Sequence, residues 1–222
     1  MAVVTTVTDS RLASLIAAVE QADASDRLIR AVRALAAAHS EAAIPTLIRA
    51  LGFNNPGAAV AAMEGLVQLG STAALPILER LDGYDYGARA WAIRALAAIG
   101  DPRALAVLKE AAETDFAPSV RRAAAKGLGC LRWSLLAPDQ TAVAQFSALR
   151  TLLAVSQDSD WALRYAAVVG LQSLAEAVNS QATDLLRSLT ARLEEMATAD
   201  PDAVTQARSR LAQRCLLQPT TL

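Results

Sequence analysis

The sequence is short of almost everything that site chemistry usually needs. Its 222 residues include one histidine, two cysteines and three each of tryptophan, tyrosine and phenylalanine. No spacing of Cys and His matches a metal site, so zinc is excluded as a centre. His39 precedes Ser40 at a predicted helix end, with no nucleophile elbow or oxyanion motif beside it. A catalytic triad is not indicated there, and a histidine facing a helix C-terminus is expected. Cys130 and Cys215 fall where neighbouring repeats carry Ala or Leu. They are expected to be small buried hydrophobes in a reducing compartment. No Gly-rich loop is shaped for phosphate. The net charge of −1 supplies no basic field, which argues against nucleic acid as a partner. No uncharged run is long enough to span a membrane, and no basic segment precedes an apolar core at the N-terminus. A soluble, cytoplasmic protein without metal or cofactor is expected.

Alanine and leucine dominate what is present. Hydrophobic residues make up 54 %, aromatics only 4 %. Few β-branched runs occur, so close-packed helices are favoured over sheet. Leu35, Leu66, Leu96 and Leu128 follow one another at intervals of 31, 30 and 32 residues. Pro45 and Pro76 are 31 apart, and Gly70 and Gly100 are 30 apart. Arg89, Arg121 and Arg164 each stand seven residues before a leucine, at Leu96, Leu128 and Leu171. Arg208 stands seven before Cys215. A period near thirty, with two helices per unit, is the signature of an α-solenoid, in which each helix pair buries its apolar face only against the next.

The fold class is therefore all-α, a stack of five to six helical hairpins forming one domain over 1–222. Residues 1–8 read as a flexible arm, and Asp9 or Ser10 as the cap of a first helix running to about Gln21. Ser25 or Asp26 is the expected cap of a second helix, to about Ala38. Gly52-Phe53-Asn54-Asn55-Pro56-Gly57 reads as a turn between repeats. Leu128 to Leu171 is 43 residues, so a longer connection is expected between 129 and 160. The polar segment 181–222 reads as a C-terminal cap.

The densest chemistry lies at 84–100. Gly87 offers freedom for a turn out of a polar aromatic loop. Ala88, Ala92, Ala95, Leu96 and Ile99 then mark one helical face, with Arg89, Trp91 and Arg94 beside it. Eight of the nine aromatics fall between Tyr84 and Tyr165. Aligning the leucines puts Tyr86, Pro118 and Trp161 in register at the start of each second helix, and Ala90, Arg122 and Tyr165 one turn later. Flat apolar groups and guanidinium donors gathered on inner helices suit a large planar ligand carrying carboxylates. Two readings stay open for Arg89, Arg121 and Arg164: ligand donors, or ties between successive repeats. Trp91 and Trp161 are open between ligand contact and packing. Tyr84, Asp85 and Tyr86 are open between a site loop and a solvated one.

The string Tyr84-Asp85-Tyr86-Gly87-Ala88-Arg89-Ala90-Trp91-Ala92-Ile93-Arg94-Ala95-Leu96, followed by Gly100-Asp101-Pro102-Arg103-Ala104-Leu105, resembles the HEAT-like repeats of the phycobilisome lyase family. Ser119 to Gly129 and Trp161 to Leu171 extend the similarity, which covers roughly 25–215. The resemblance is to the F subunit of E/F-type phycocyanobilin lyases. It implies HEAT-like hairpins in a curved, right-handed superhelix and a heterodimer with an E-type subunit. It also implies thioether attachment of phycocyanobilin, as substrate, to a cysteine of the phycocyanin α subunit. Isomerising relatives carry an adjacent His-Cys pair, which this sequence lacks, so attachment without isomerisation is implied.

On that basis Asp85 and Tyr86 are the candidate catalytic residues, through hydrogen bonds to pyrrole N–H groups and a proton relay. Tyr84, Arg89, Trp91, Arg94, Arg121, Arg122, Trp161 and Arg164 are the candidate bilin-binding residues. A non-enzymatic HEAT-like adaptor for phycobiliproteins, and an F-type subunit acting on another bilin or phycobiliprotein, are the alternatives.

Overall fold

The computed structural model describes residues 2–81, 86–178 and 182–217, with side chains from Ser10 onward. Twelve α-helices and three short 3-10 turns make up most of these residues, and no strand occurs among them. The helices are α1 (Ala2–Glu20), α2 (Ser25–Ala36), α3 (Ile44–Ala50), α4 (Pro56–Leu69), α5 (Ser71–Leu78) and α6 (Tyr86–Ile99). They continue with α7 (Leu105–Thr114), α8 (Pro118–Gly129), α9 (Pro138–Val155), α10 (Trp161–Ala177), α11 (Thr183–Ala199) and α12 (Ala203–Leu217). Paired in order they make six hairpins. None is long and apolar enough to cross a membrane. The chain divides into two compact units, Met1–Ile99 and Gly100–Leu222.

In the first unit the second helices pack side by side, α2 on α4 and α4 on α6. Val32, Leu35, Leu47, Ile48, Leu66 and Ile77 form its buried interior. Leu35 and Leu66 occupy the equivalent buried place in successive hairpins, which is what the thirty-residue period encodes. Gly70 and Gly100 both take positive φ, 66° and 69°, and end α4 and α6. Asn55 caps α4 by accepting from Ala58 N–H at 3.0 Å, and its Nδ2 donates to Ser25 Oγ at 2.9 Å. The Gly52–Gly57 turn therefore joins the two helices of one hairpin, α3 and α4, and not two repeats.

Other local expectations shift as well. Ser25 and Asp26 do not cap α2. Its N-cap is Ala24, with no side-chain cap bond, and the Ser25 hydroxyl is engaged by Asn55. Helix α1 starts at Ala2, ahead of Asp9, in a stretch with no Pro or Gly to stop a helix propagating backwards. Gly87 is helical, in the first turn of α6.

In the second unit α8 packs on α10 and α10 on α12, while α7, α9 and α11 pair with them as hairpin partners. The extra residues between 129 and 160 are mostly helix, not loop. A 3-10 turn at Trp133–Leu135 leads into α9, which has 18 residues where α7 has 10. The α8–α10 crossing is so close that a Cβ on Gly129 would collide with the Gly170 carbonyl, and one on Gly170 with the Ala125 carbonyl. Glycine at both places lets the two backbones touch.

Candidate functional site

Helix α6 carries four of the predicted residues of the first unit. Tyr84 and Asp85 lie outside the described residues. Tyr86 opens α6 and is 37 % exposed. Ala88, Ala92, Ala95, Leu96 and Ile99 are all buried, as the 3.6-residue pattern requires. That leaves Arg89, Trp91 and Arg94 half-buried on the flanks of the helix. The Arg94 guanidinium lies 4.8 Å from the Trp91 ring centroid, a cation–π pair between residues three apart on one helix. Trp91 also lines a hollow of about 400 Å³ with Gly87 and with Phe53, Asn55 and Pro56 of the α3–α4 turn. Phe53 was not singled out by sequence reasoning. Its signal was its place in that turn, and it is 36 % exposed.

In the second unit Arg121 ends the first turn of α8 and Arg122 follows it, while Trp161 and Arg164 sit in the first turn of α10. Arg164 is buried. Its Nε and Nη2 grip the Asp200 carboxylate at 2.9 and 2.8 Å, and Nη1 donates to the carbonyls of Asp158 and Ser159. Arg121 donates from Nε to the Ala112 carbonyl at 3.1 Å and from Nη2 to Asp158 at 2.7 Å. Both are ties from a second helix to the loop of the following hairpin, the structural alternative of the two readings open to them. Four of the five Arg164 N–H groups are engaged in this way, and the side chain is only 9 % exposed, so it is closed to a ligand carboxylate. Arg122 differs: its side chain is 36 % exposed and its contact with Asp160 is loose, at 3.5 Å. Asp160 is already the N-cap of α10, accepting from Ala162 N–H at 2.9 Å. Trp161, next along, is 48 % exposed. The pair of groups open to a ligand here is thus Arg122 and Trp161.

The carboxylates that hold these arginines are tuned by them. Burial pushes the Asp200 carboxyl up, but the Arg164 hydrogen bonds, the Asp202 N–H and the charges of Arg164 and Arg192 outweigh it and hold it below the usual range. Burial likewise opposes the Asp158 charge, and the Asp160 N–H together with Arg121 and the charge of Arg164 turns the balance downward. The hydrogen bonds to Asp200 raise the Arg164 pKa against its own burial. A polar hollow of about 610 Å³ lies over these ties, lined by Ser156, Arg164, Arg192, Glu195 and Asp200 among others. Sequence reasoning missed Arg192, which donates to Ser156 Oγ and to the Ser156 carbonyl, both at 2.8 Å. It also missed Asp158 and Asp200, although each falls in the loop just ahead of a second helix.

The cysteines correct an expectation. Cys130 and Cys215 are free and exposed, not buried. Cys130 follows the last residue of α8 as its C-cap, past the end of the buried face. Cys215 lies off the inward face of α12, which Thr205, Ser209 and Ala212 occupy at helical spacing. His39 has left-handed backbone, φ 47°, just beyond α2, and its ring is exposed.

HEAT repeats match residues 12–86 and 80–129. The phycocyanin alpha phycocyanobilin lyase CpcF of Synechocystis is 51 % identical over 87 % of this chain and 89 % of that protein. A phycobilisome maturation protein of Synechococcus elongatus is 53 % identical, covering 91 % of this chain and 96 % of its own. Among solved structures, the complex of CpcE and CpcF of phycocyanin lyase from Nostoc contains a chain 53 % identical. It superimposes with a TM-score of 0.72 over 78 % of this chain and 99 % of that one. A designed armadillo repeat protein, 16 % identical with a TM-score of 0.59, shares the fold alone. With about half its residues identical along nearly its whole length, and HEAT repeats matched in it, the chain belongs to the HEAT-repeat family of phycocyanobilin lyase CpcF (beta) subunits.

Proposed function

We propose that this chain is the F-type subunit of a heterodimeric bilin lyase. With its E-type partner it attaches phycocyanobilin through a thioether to a cysteine of the phycocyanin α subunit, in the cytoplasm and without isomerising the bilin. The observation that carries the reading is the similarity to phycocyanobilin lyase beta subunits, 53 % identity over 90 % of this chain and 97 % of the Nostoc relative. The chemistry suits a protein poor in nucleophiles and metal ligands. The acceptor's cysteine adds across the ethylidene double bond of the bilin. A carbon–sulfur bond forms, the thiol's proton ends on the tetrapyrrole, and no oxidant or reductant is needed. The lyase has to hold an extended chromophore in one conformation before the incoming sulfur, and orientation of that kind lowers a barrier by several kcal/mol.

The candidate groups divide by role. Trp91, with Arg94 over its ring, and Trp161 offer aromatic faces to the pyrroles. Arg89, Arg94 and Arg122 are the donors assigned to the propionates. Asp85 and Tyr86 are assigned to protonation, a carboxylate near pyrrole N–H groups favouring the cationic, more electrophilic bilin.

Co-expression of the chain with an E-type subunit, bilin-synthesising enzymes and apo-phycocyanin α tests the reading. Covalent fluorescence on the α subunit is expected only when both lyase subunits are present. Equal product without this chain overturns it. Unchanged absorbance of free phycocyanobilin on mixing with the heterodimer, alongside tight phycocyanin binding, makes the chain an adaptor instead.

A further inference from the structure

The second helices of the second unit share a stripe whose use can be followed from hairpin to hairpin. On α8 it is Arg121, Ala124 and Leu128, and on α10 it is Arg164, Ala167 and Leu171. In both, the alanine and leucine are fully buried, and the arginine is answered by an aspartate from the loop before the next second helix. The answering residues, Asp158 and Asp200, are 37 and 36 positions further along. The equivalent stripe of α12 is Arg208, Leu211 and Cys215. Here Leu211 is 51 % exposed, and Cys215 and Val204 on the same side of the helix are exposed too. Among the described residues the Arg208 guanidinium makes no hydrogen bond or ion pair. It rests 5.9 Å from the Tyr165 ring centroid, with Nη1 buried and unsatisfied. A buried guanidinium nitrogen without an acceptor is costly.

We infer that the outward stripe of α12 is the docking face for a helical hairpin of the E-type subunit, whose loop supplies an aspartate to Arg208 as Asp200 does to Arg164. The inference rests on the heterodimer proposed above. Charge complementarity selects the partner's residue, and the register of two internal precedents selects its place, in the loop ahead of a second helix. A second copy of this chain is the weaker occupant. Stacking the front of one copy on the back of another is a head-to-tail contact that does not close and runs on into filaments.

Cys215 provides the probe. In a Cys130→Ser chain, maleimide labelling is followed at the Cys215 peptide by mass spectrometry, with and without excess E-type subunit, and sedimentation reports the heterodimer. Fast labelling of the chain alone, slowed about tenfold or more in the heterodimer, is expected. Unchanged labelling in a heterodimer that sedimentation shows to have formed overturns the docking face and leaves the lyase reading standing. Absence of any heterodimer overturns the lyase reading and the docking face together. Slow labelling of the isolated monomer means the chain covers the stripe itself, and slow labelling with self-association means a second copy does; either overturns the inference. Arg208→Glu, and separately Leu211→Ser, should raise the heterodimer Kd about tenfold or more, while Arg214→Glu, an exposed control on the same helix, leaves it unchanged. Equal effects of Arg208→Glu and Arg214→Glu would reduce the contact to general charge and overturn it.

Discussion

Arg164 and Arg122 resemble each other in sequence, both near the start of a second helix. Burial separates them. With its side chain 9 % exposed and facing an Asp200 carboxylate only 2 % exposed, Arg164 is half of a buried pair. Removing one partner leaves the other charged and unanswered. Asp200→Ala is expected to lower unfolding free energy by about 3–5 kcal/mol in denaturant titrations. Arg122 is looser and more open. Arg122→Ala should leave the melting temperature within a degree or two, yet weaken phycocyanobilin binding to the heterodimer about tenfold by absorbance titration. The reverse pattern would make Arg122 the tie. Trp91→Ala is expected to cost about threefold to tenfold in the same titration, the range of one aromatic contact. The residue scale is where sequence reading was weakest. A repeated arginine is equally legible as donor or tie, because its carboxylate stands 36 or 37 positions away. Cys130 and Cys215 were misread for a related reason: their place in the repeat matched buried residues, but one lies past a helix end and the other on a face left open.

At the scale of the element, helices were legible because their pattern is local. The buried face of α6 reads directly from residues three and four apart, and Gly70 and Gly100 end their helices where the period puts them. Caps were less legible. Asn55 serves α4 and at the same time takes Ser25 from α2, a choice that needs both hairpins in place. The α8–α10 crossing is tightly constrained by its two glycines. Gly129→Ala would drive a methyl into the Gly170 backbone, so the helices must separate. A loss of about 1–3 kcal/mol is expected by chemical denaturation, with the melting temperature falling accordingly. A neutral Gly129→Ala would mean the two helices can slide apart freely.

For the whole molecule, the low-lying carboxyls of Asp158 and Asp200 give stability a defined acid limb. Their pKa values are lower folded than unfolded, so their contribution is complete above the ordinary carboxylate range, about pH 4, and fades as pH falls through the folded values. Melting temperature measured from pH 3 to 7 should be flat above about pH 5 and fall below it. Asp200→Asn should lessen that fall while lowering the plateau. An undiminished acid slope in Asp200→Asn would assign the limb to other carboxylates. Sequence by itself determined the all-helical class, the thirty-residue period and the family, because each is written in short-range spacing or in residue identity. Only the tertiary structure decided which arginines are ties, which aromatics stay exposed and which face of α12 is open. Those outcomes depend on which side chains the stacking of one hairpin on the next brings together, and a carboxylate brought to a guanidinium by stacking leaves no mark in the spacing of either.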